Sequence, residues 1–161
     1  MLHKQIYNSP LGQMILLADD SGLLGAWFVG QKYALRGFEA MDIAEQPSPI
    51  LTAAQVWLDA YFAGRKSQSG PPLSPQGTAF QKKVWTLLTR VPSGQTITYG
   101  QIAAQLACKS AQAVGGAVGK NPLSIFIPCH RVLGSQGQLT GYAGGLERKC
   151  WLLDYEKGVK K

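Results

Sequence analysis

Cysteine, histidine and long apolar runs are all scarce in this chain of 161 residues, and each scarcity excludes something. Three cysteines (Cys108, Cys129, Cys150) and two histidines (His3, His130) stand at no metal-ligand spacing. So sparse and odd a set of thiols cannot make a disulfide framework, and a structural zinc site wants more ligands than this. No window approaches the roughly 18 consecutive apolar residues of a membrane span, and the first residues lack the apolar stretch of a secretion signal. The expectation is a cytoplasmic protein with reduced thiols, no metal and no membrane association.

Acidic residues are short in one half only. Residues 1–70 hold five Lys/Arg against six Asp/Glu, whereas residues 71–161 hold eleven against three, a net +8. A basic half beside a near-neutral half suggests that one domain faces a polyanion, with a merely soluble basic surface as the alternative that charge alone leaves open. A chain of this length buries about 70% of the surface its unfolded form exposes, so it needs no covalent staples.

Residues 5–7, 14–18 and 23–28 are short apolar runs expected as strands, the last two separated by the turn cluster Asp19-Asp20-Ser21-Gly22. From Ser48 the period changes: Ile50, Ala54, Trp57, Leu58 and Tyr61 fall on one helical face, with Gly64 as terminator. This predicts an α/β support domain over residues 1–68. Residues 69–77, rich in proline, read as a linker, because proline cannot continue a helix interior or a central strand. A second domain then covers residues 78–161. Within it, residues 80–90 read as a helix with Phe80, Val84, Leu87 and Leu88 inward, ended at Pro92-Ser93-Gly94. Residues 99–107 read as a second helix, and Ser110 can N-cap a third that runs to about Lys120. Two short helices with a tight connection form a helix-turn-helix pattern. The third helix carries Gly115, Gly116 and Gly119, each costing about 1 kcal/mol against alanine. Two uses explain so bare a helix: close approach of its backbone to another surface, or tight packing on a neighbouring helix.

The stretch from Asn121 to Val132 carries the chemistry. Residues 125–127 read as a short buried strand, and Pro128 fixes the backbone ahead of Cys129, His130 and Arg131. A thiol attacks as thiolate, its free pKa is about 8.5, and a nearby imidazole or cation is the ordinary means of favouring that form. Adjacent residues in an extended chain point oppositely, so Cys129 and His130 can cooperate only if the chain turns there or a water bridges them. Spacing alone leaves open, and somewhat favours, a structural cysteine beside a surface histidine.

Pro128-Cys129-His130-Arg131-Val132, preceded by Asn121-Pro122 and followed by Gly141-Tyr142 and Gly144-Gly145, resembles the signature of the O6-alkylguanine-DNA alkyltransferase family. Phe80-Gln81, Val84-Trp85, Pro92, Gly94, Thr98-Tyr99-Gly100-Gln101-Ile102-Ala103 and Ala113-Val114-Gly115 resemble the same family in the same order, as do Leu152-Leu153 and Glu156. The first 70 residues match only in arrangement. The resemblance implies a ribonuclease-H-like α/β domain followed by a mostly helical, winged-helix-like domain with a helix-turn-helix. It implies DNA repair by a single, stoichiometric transfer of an alkyl group from guanine O6 (or thymine O4) to Cys129, which inactivates the protein. Its partner would be double-stranded DNA containing O6-alkylguanine, met through the minor groove by a monomer, with no cofactor.

By the same resemblance, His130 would take the thiol proton through a water, Glu156 would orient His130, and Asn121 would brace the turn before the active-site strand. Tyr99 would press on the phosphate 3′ to the lesion, and Gln112 would sit in the gap left by the extruded base. Gly100, Lys109, Gln81, Ser135 and Arg131 are expected DNA contacts. Tyr142, Lys149 and the backbone near Val132 would line the guanine pocket. Gln112 departs from the family, which usually has arginine there; glutamine is shorter and uncharged, which bears on extrusion and not on the nucleophile. A damage sensor that binds alkylguanine without repairing it is the alternative. Such relatives lack the acceptor cysteine, so Cys129 argues against it, and Gln112 is the feature that would fit it.

Overall fold

In the computed structural model, which describes residues 1–65 and 69–159, the chain divides into two units, Met1–Gln76 and Gly77–Lys161. The expected boundary at residue 68 lies outside the described residues.

In the first unit, β1 (Leu2–Ser9), β2 (Gly12–Ala18) and β3 (Leu23–Phe28) form an antiparallel meander, and β4 (Ile43–Ala44) adds to the outer edge of β1 in parallel. Both faces of the sheet are covered, so β2 and β3 read as nearly continuous apolar runs. Leu17, Leu24, Trp27 and Phe38 cluster with Ile15, Leu35 and Ile43, and α1 (Pro49–Phe62) lies against β1, β2 and β3. Ser48 caps α1 by accepting from the Leu51 N–H, with Pro49 in the first turn where its missing N–H costs nothing. Gly64, at φ +74°, takes the left-handed conformation that ends the helix. A Cβ on Gly25 would collide with the Trp27 indole, so that strand position must be bare for the ring to lie across it.

The proline-rich stretch is not free chain at its centre. Leu23 donates to Pro72 O at 2.8 Å and accepts from Ser74 N–H at 2.8 Å, which closes part of the outer edge of β3.

The second unit is mostly helical. Thr78 and Gln81 form a reciprocal capping box at the start of α2 (Ala79–Leu88), and Thr98 and Gln101 do the same for α3 (Tyr99–Gln105). Val84, Leu87 and Leu88 are buried as expected, whereas Phe80 is half-buried. Ser110 caps α4 (Ala111–Gly119) through the Ala113 N–H, as its position in the sequence implies. Trp85, buried on α2, donates its indole N–H to Ala117 O at 2.8 Å and so ties α2 to α4. Two-residue strands β5 (Ile97–Thr98) and β6 (Val132–Leu133) pair in parallel, and α5 (Leu146–Val159) closes the unit.

One expected strand is absent. Residues 125–127 are buried but form a turn, with Ile125 at φ +74° and a single bridge between Ser124 and Ile127. A β-branched residue in the left-handed region costs on the order of 1–3 kcal/mol and persists only where its surroundings over-determine it. Asn121 supplies much of that determination. Its side chain donates to Ile127 O at 2.8 Å and accepts from Leu123 N–H at 2.9 Å, bridging the two ends of the turn.

Candidate active site

Behind that turn, Cys129–Arg131 wind into one 3-10 turn, so the extended geometry that would separate Cys129 from His130 does not arise. All three residues are buried. Burial pushes the Cys129 thiol up to about 11, against the opposing pull of a hydrogen bond with Asn121 and the Lys149 charge. The thiol therefore rests protonated: desolvation outweighs the imidazole and cations that the sequence places around it.

Glu156, on α5, organises the next layer. Its Oε2 meets His130 Nε2 at 2.7 Å, and the Arg131 guanidinium donates from Nε to Oε1 at 2.8 Å and from Nη2 to Oε2 at 2.7 Å. Burial alone would raise this carboxyl, but the hydrogen bonds and charges of His130 and Arg131 hold it at about 2. An ionised carboxylate only accepts, so the His130 ring hydrogen resides on Nε2 and the lone pair on Nδ1. Nδ1 is buried and has no hydrogen-bond partner. Burial pulls the His130 pKa below 6.5 despite the carboxylate, so the ring rests neutral.

The Lys149 ammonium, also buried, donates to Thr140 O at 3.2 Å, and burial lowers its pKa. Thr140 in turn donates its hydroxyl to Tyr99 OH at 2.9 Å. Tyr142 sets its ring edge-on to His130, centroids 6.4 Å apart. Its hydroxyl is buried without a partner of good geometry, and burial, then the Cys129 charge, raises its pKa well above 10. Around one buried thiol, then, stand a neutral base with a free lone pair, a phenol that keeps its proton, and a cation. This set can accept a proton, deliver a sulfur nucleophile and donate to a leaving group.

Comparison with known proteins follows the same division. Residues 2–75 match the family described as 6-O-methylguanine DNA methyltransferase, ribonuclease-like domain, and residues 79–158 match its DNA binding domain. The methylated-DNA–protein-cysteine methyltransferase of Mycobacterium leprae is 42% identical over 98% of this chain and 93% of its own length. That of Methanosarcina acetivorans is 40% identical over 96% and 98%. The chain belongs to the methylated-DNA–protein-cysteine methyltransferase family. Among solved members of the family, Mycobacterium tuberculosis OGT in complex with DNA superposes with a TM-score of 0.88 at 39% identity, covering 98% of this chain and 94% of that one. Like the family, this protein acts in DNA repair by alkyl transfer and has DNA as its partner.

The remaining expected residues fall into two groups. Tyr99 and Gly100 begin α3, Gln112 lies in the first turn of α4, and Gly100, Lys109, Gln112 and Ser135 are exposed. Gln81 is half-buried, its carbonyl engaged with Thr78 N–H in the capping box. Val132 is buried in β6 with its N–H given to Cys129 O. Arg131 must be corrected as a DNA contact. It is buried, and its fork is spent on Glu156 and on Val91 O at 2.7 Å, so no guanidinium face is left for a phosphate. Thr140 is an addition that sequence patterns do not single out: 41 residues separate it from Tyr99, and no periodicity spans that gap.

Proposed function

We propose that Cys129 is the alkyl acceptor and that the substrate is O6-alkylguanine extruded from double-stranded DNA. The observation that carries this reading is the buried, protonated Cys129 thiol next to a neutral His130 whose Nε2 is held by Glu156 and whose Nδ1 is free. The thiol proton passes to Nδ1, directly or through a water. Sulfur then attacks the alkyl carbon; the S–C bond forms as the C–O6 bond breaks, and the electron pair goes to the guanine. Tyr142, which keeps its proton, is the donor available to the departing base, and Lys149 steadies the negative charge on sulfur as it develops. A thioether is not hydrolysed by water, so each molecule reacts once.

The DNA side of the reading rests on α4. A Cβ on Gly116 or Gly119 would meet nothing within 4 Å, and one on Gly115 would meet only Tyr99 at 3.9 Å. Packing within the chain therefore does not require these glycines, which favours approach to an outside surface over the alternative of a tight helix–helix contact. A minor groove about 6 Å wide admits a bare helix and obstructs a bulky one. Tyr99 and Gln112 stand at the first turns of α3 and α4; in this reading Tyr99 presses on the backbone and Gln112 enters the vacated stack, the extrusion itself costing a few kcal/mol. Gly100, Lys109, Gln81 and Ser135 complete the contacts, and a monomer acting in the cytoplasm suffices. Among the described residues no helix is long and apolar enough to cross a membrane.

Intact-mass measurement after mixing with an O6-methylguanine duplex tests the proposal. One methyl group per protein is expected, located on Cys129, and Cys129→Ser abolishes transfer while DNA binding survives. Multiple turnovers, or methyl on Cys108 or Cys150, would overturn it.

A further inference from the structure

Arg131 sits at the centre of the acid–base set without touching the thiol. Its Nε and Nη2 bracket both oxygens of Glu156, and Nη1 reaches Val91 O beyond the end of α2. One carboxylate oxygen, Oε2, is thus shared between the Arg131 guanidinium and the His130 ring. The chemistry needs two things of that carboxylate that conflict. It must accept the Nε2 hydrogen, which fixes the ring with Nδ1 open. A buried carboxylate at 2.7 Å also attracts a second proton to the imidazole, which would close Nδ1 and remove the base.

We propose that Arg131 is a positioning residue for alkyl transfer: as counter-charge and bidentate partner of Glu156, it lets the carboxylate orient His130 without converting it to imidazolium. The proposal rests on His130 being the base. A cation is needed for this, because a neutral donor would satisfy the Glu156 lone pairs but leave its charge uncompensated in a dry site. A guanidinium suits the place because it stays protonated when buried and meets a carboxylate side-on with two parallel bonds, though the charge itself is what balances Glu156. The charged and titratable groups facing His130 are few. Glu156 and Lys149 come from α5, Tyr142 from the segment before it, and Cys129 and Arg131 from the same turn. Of these, Glu156 favours the imidazolium while Arg131 and Lys149 oppose it, and Lys149 is directed at Thr140. Arg131 bonds both oxygens of the carboxylate that has to be balanced.

The chain has only two histidines, so the imidazole region of a 15N spectrum reports His130 directly against pH. In the wild type the ring is expected to stay the neutral Nε2–H tautomer to below pH 6.5. Arg131→Gln, neutral but still a donor, should raise the His130 midpoint by about one unit or more, and Arg131→Lys should keep it within a few tenths. The acid limb of the single-turnover rate should move with it, about tenfold per unit below the midpoint. A purely structural role would slow transfer equally at all pH values. If Arg131→Gln does not fold, Glu156→Gln is compared with the double variant Arg131→Gln/Glu156→Gln, in which no buried carboxylate is left unpaired; loss of the cation should still raise the midpoint. An unchanged midpoint in either comparison overturns the proposal. A midpoint that moves while the rate profile does not would instead remove His130 as the base, which separates the two failures.

Discussion

At the scale of single residues, the site is governed by what burial does to charge. His130 is held neutral and Glu156 ionised, and both conditions fail in acid. The folded His130 takes up a proton less readily than the unfolded chain, so stability declines as pH falls below 6.5. The folded Glu156 lies at about 2 against 4.5 unfolded, so its contribution, on the order of 3 kcal/mol, is full above 4.5 and is lost as pH falls from there toward 2. Calorimetric melting from pH 8 to pH 3 should show both declines, and Glu156→Gln should flatten the lower one; a melting temperature independent of pH would contradict the assignment. Gln112 calls for a different measurement. Gln112→Arg should raise the rate on alkylated duplex, since a longer cationic side chain fills the vacated stack better, by about tenfold for 1.4 kcal/mol. The free base O6-benzylguanine needs no extrusion and should respond little. Equal gains on both substrates would place Gln112 in the pocket or the fold instead. Much of this site was legible in the residues 121–132, but the partners were not. Arg131 looks like a phosphate contact because exposed cations usually are, and only the approach of α5, 25 residues away, turns its fork inward. The resting protonation of the thiol was not legible for a related reason, since spacing shows neighbouring charges and does not show desolvation.

Among elements, helix starts were the most readable features. Ser110 announces α4 as a cap, a local hydrogen bond that needs no tertiary partner, and the change of period at Ser48 marks the start of α1. The turn at residues 123–127 was hidden for the opposite reason. Ile125-Phe126-Ile127 has strand composition, and its departure from a strand depends on the Asn121 side chain occupying the backbone groups that a ladder would use. Strands β5 and β6, two residues each, are too short to carry a period. For α4 the structure adds a sign that composition lacked. Gly116 is exposed with open space where a Cβ would stand, so Gly116→Ala should stabilise the protein by roughly 0.5–1 kcal/mol. Gly116→Leu should also leave the fold intact, yet weaken DNA binding by tenfold or more. Denaturant melts and DNA titrations on the two variants check this; a destabilised Gly116→Ala would mean that the glycine serves the fold.

Across the whole molecule, the division of charge remains after the fold is known. Burial withdraws Arg131, Lys149 and Glu156 from the balance of residues 71–161, which still leaves net +7 there. The logarithm of the affinity for DNA should therefore fall linearly with log salt, with a slope of about 0.9 per phosphate contact. Lys109→Ala, at an exposed cation beside α4, should lower the slope by about one at any sequence, whereas reaction with free O6-benzylguanine should be insensitive to salt. A slope unchanged in Lys109→Ala would remove that contact. The hydrogen bonds that Leu23 makes to Pro72 and Ser74 bear on the supply of the protein. A repair agent consumed by each event has to be made in quantity and stay soluble, and an apolar outer strand with open backbone groups recruits another copy of itself. The short strap over β3 blocks that growth from within the chain. A first-unit fragment ending at residue 76 should stay monodisperse in light scattering, while one ending at residue 70, with the strap removed, should clump.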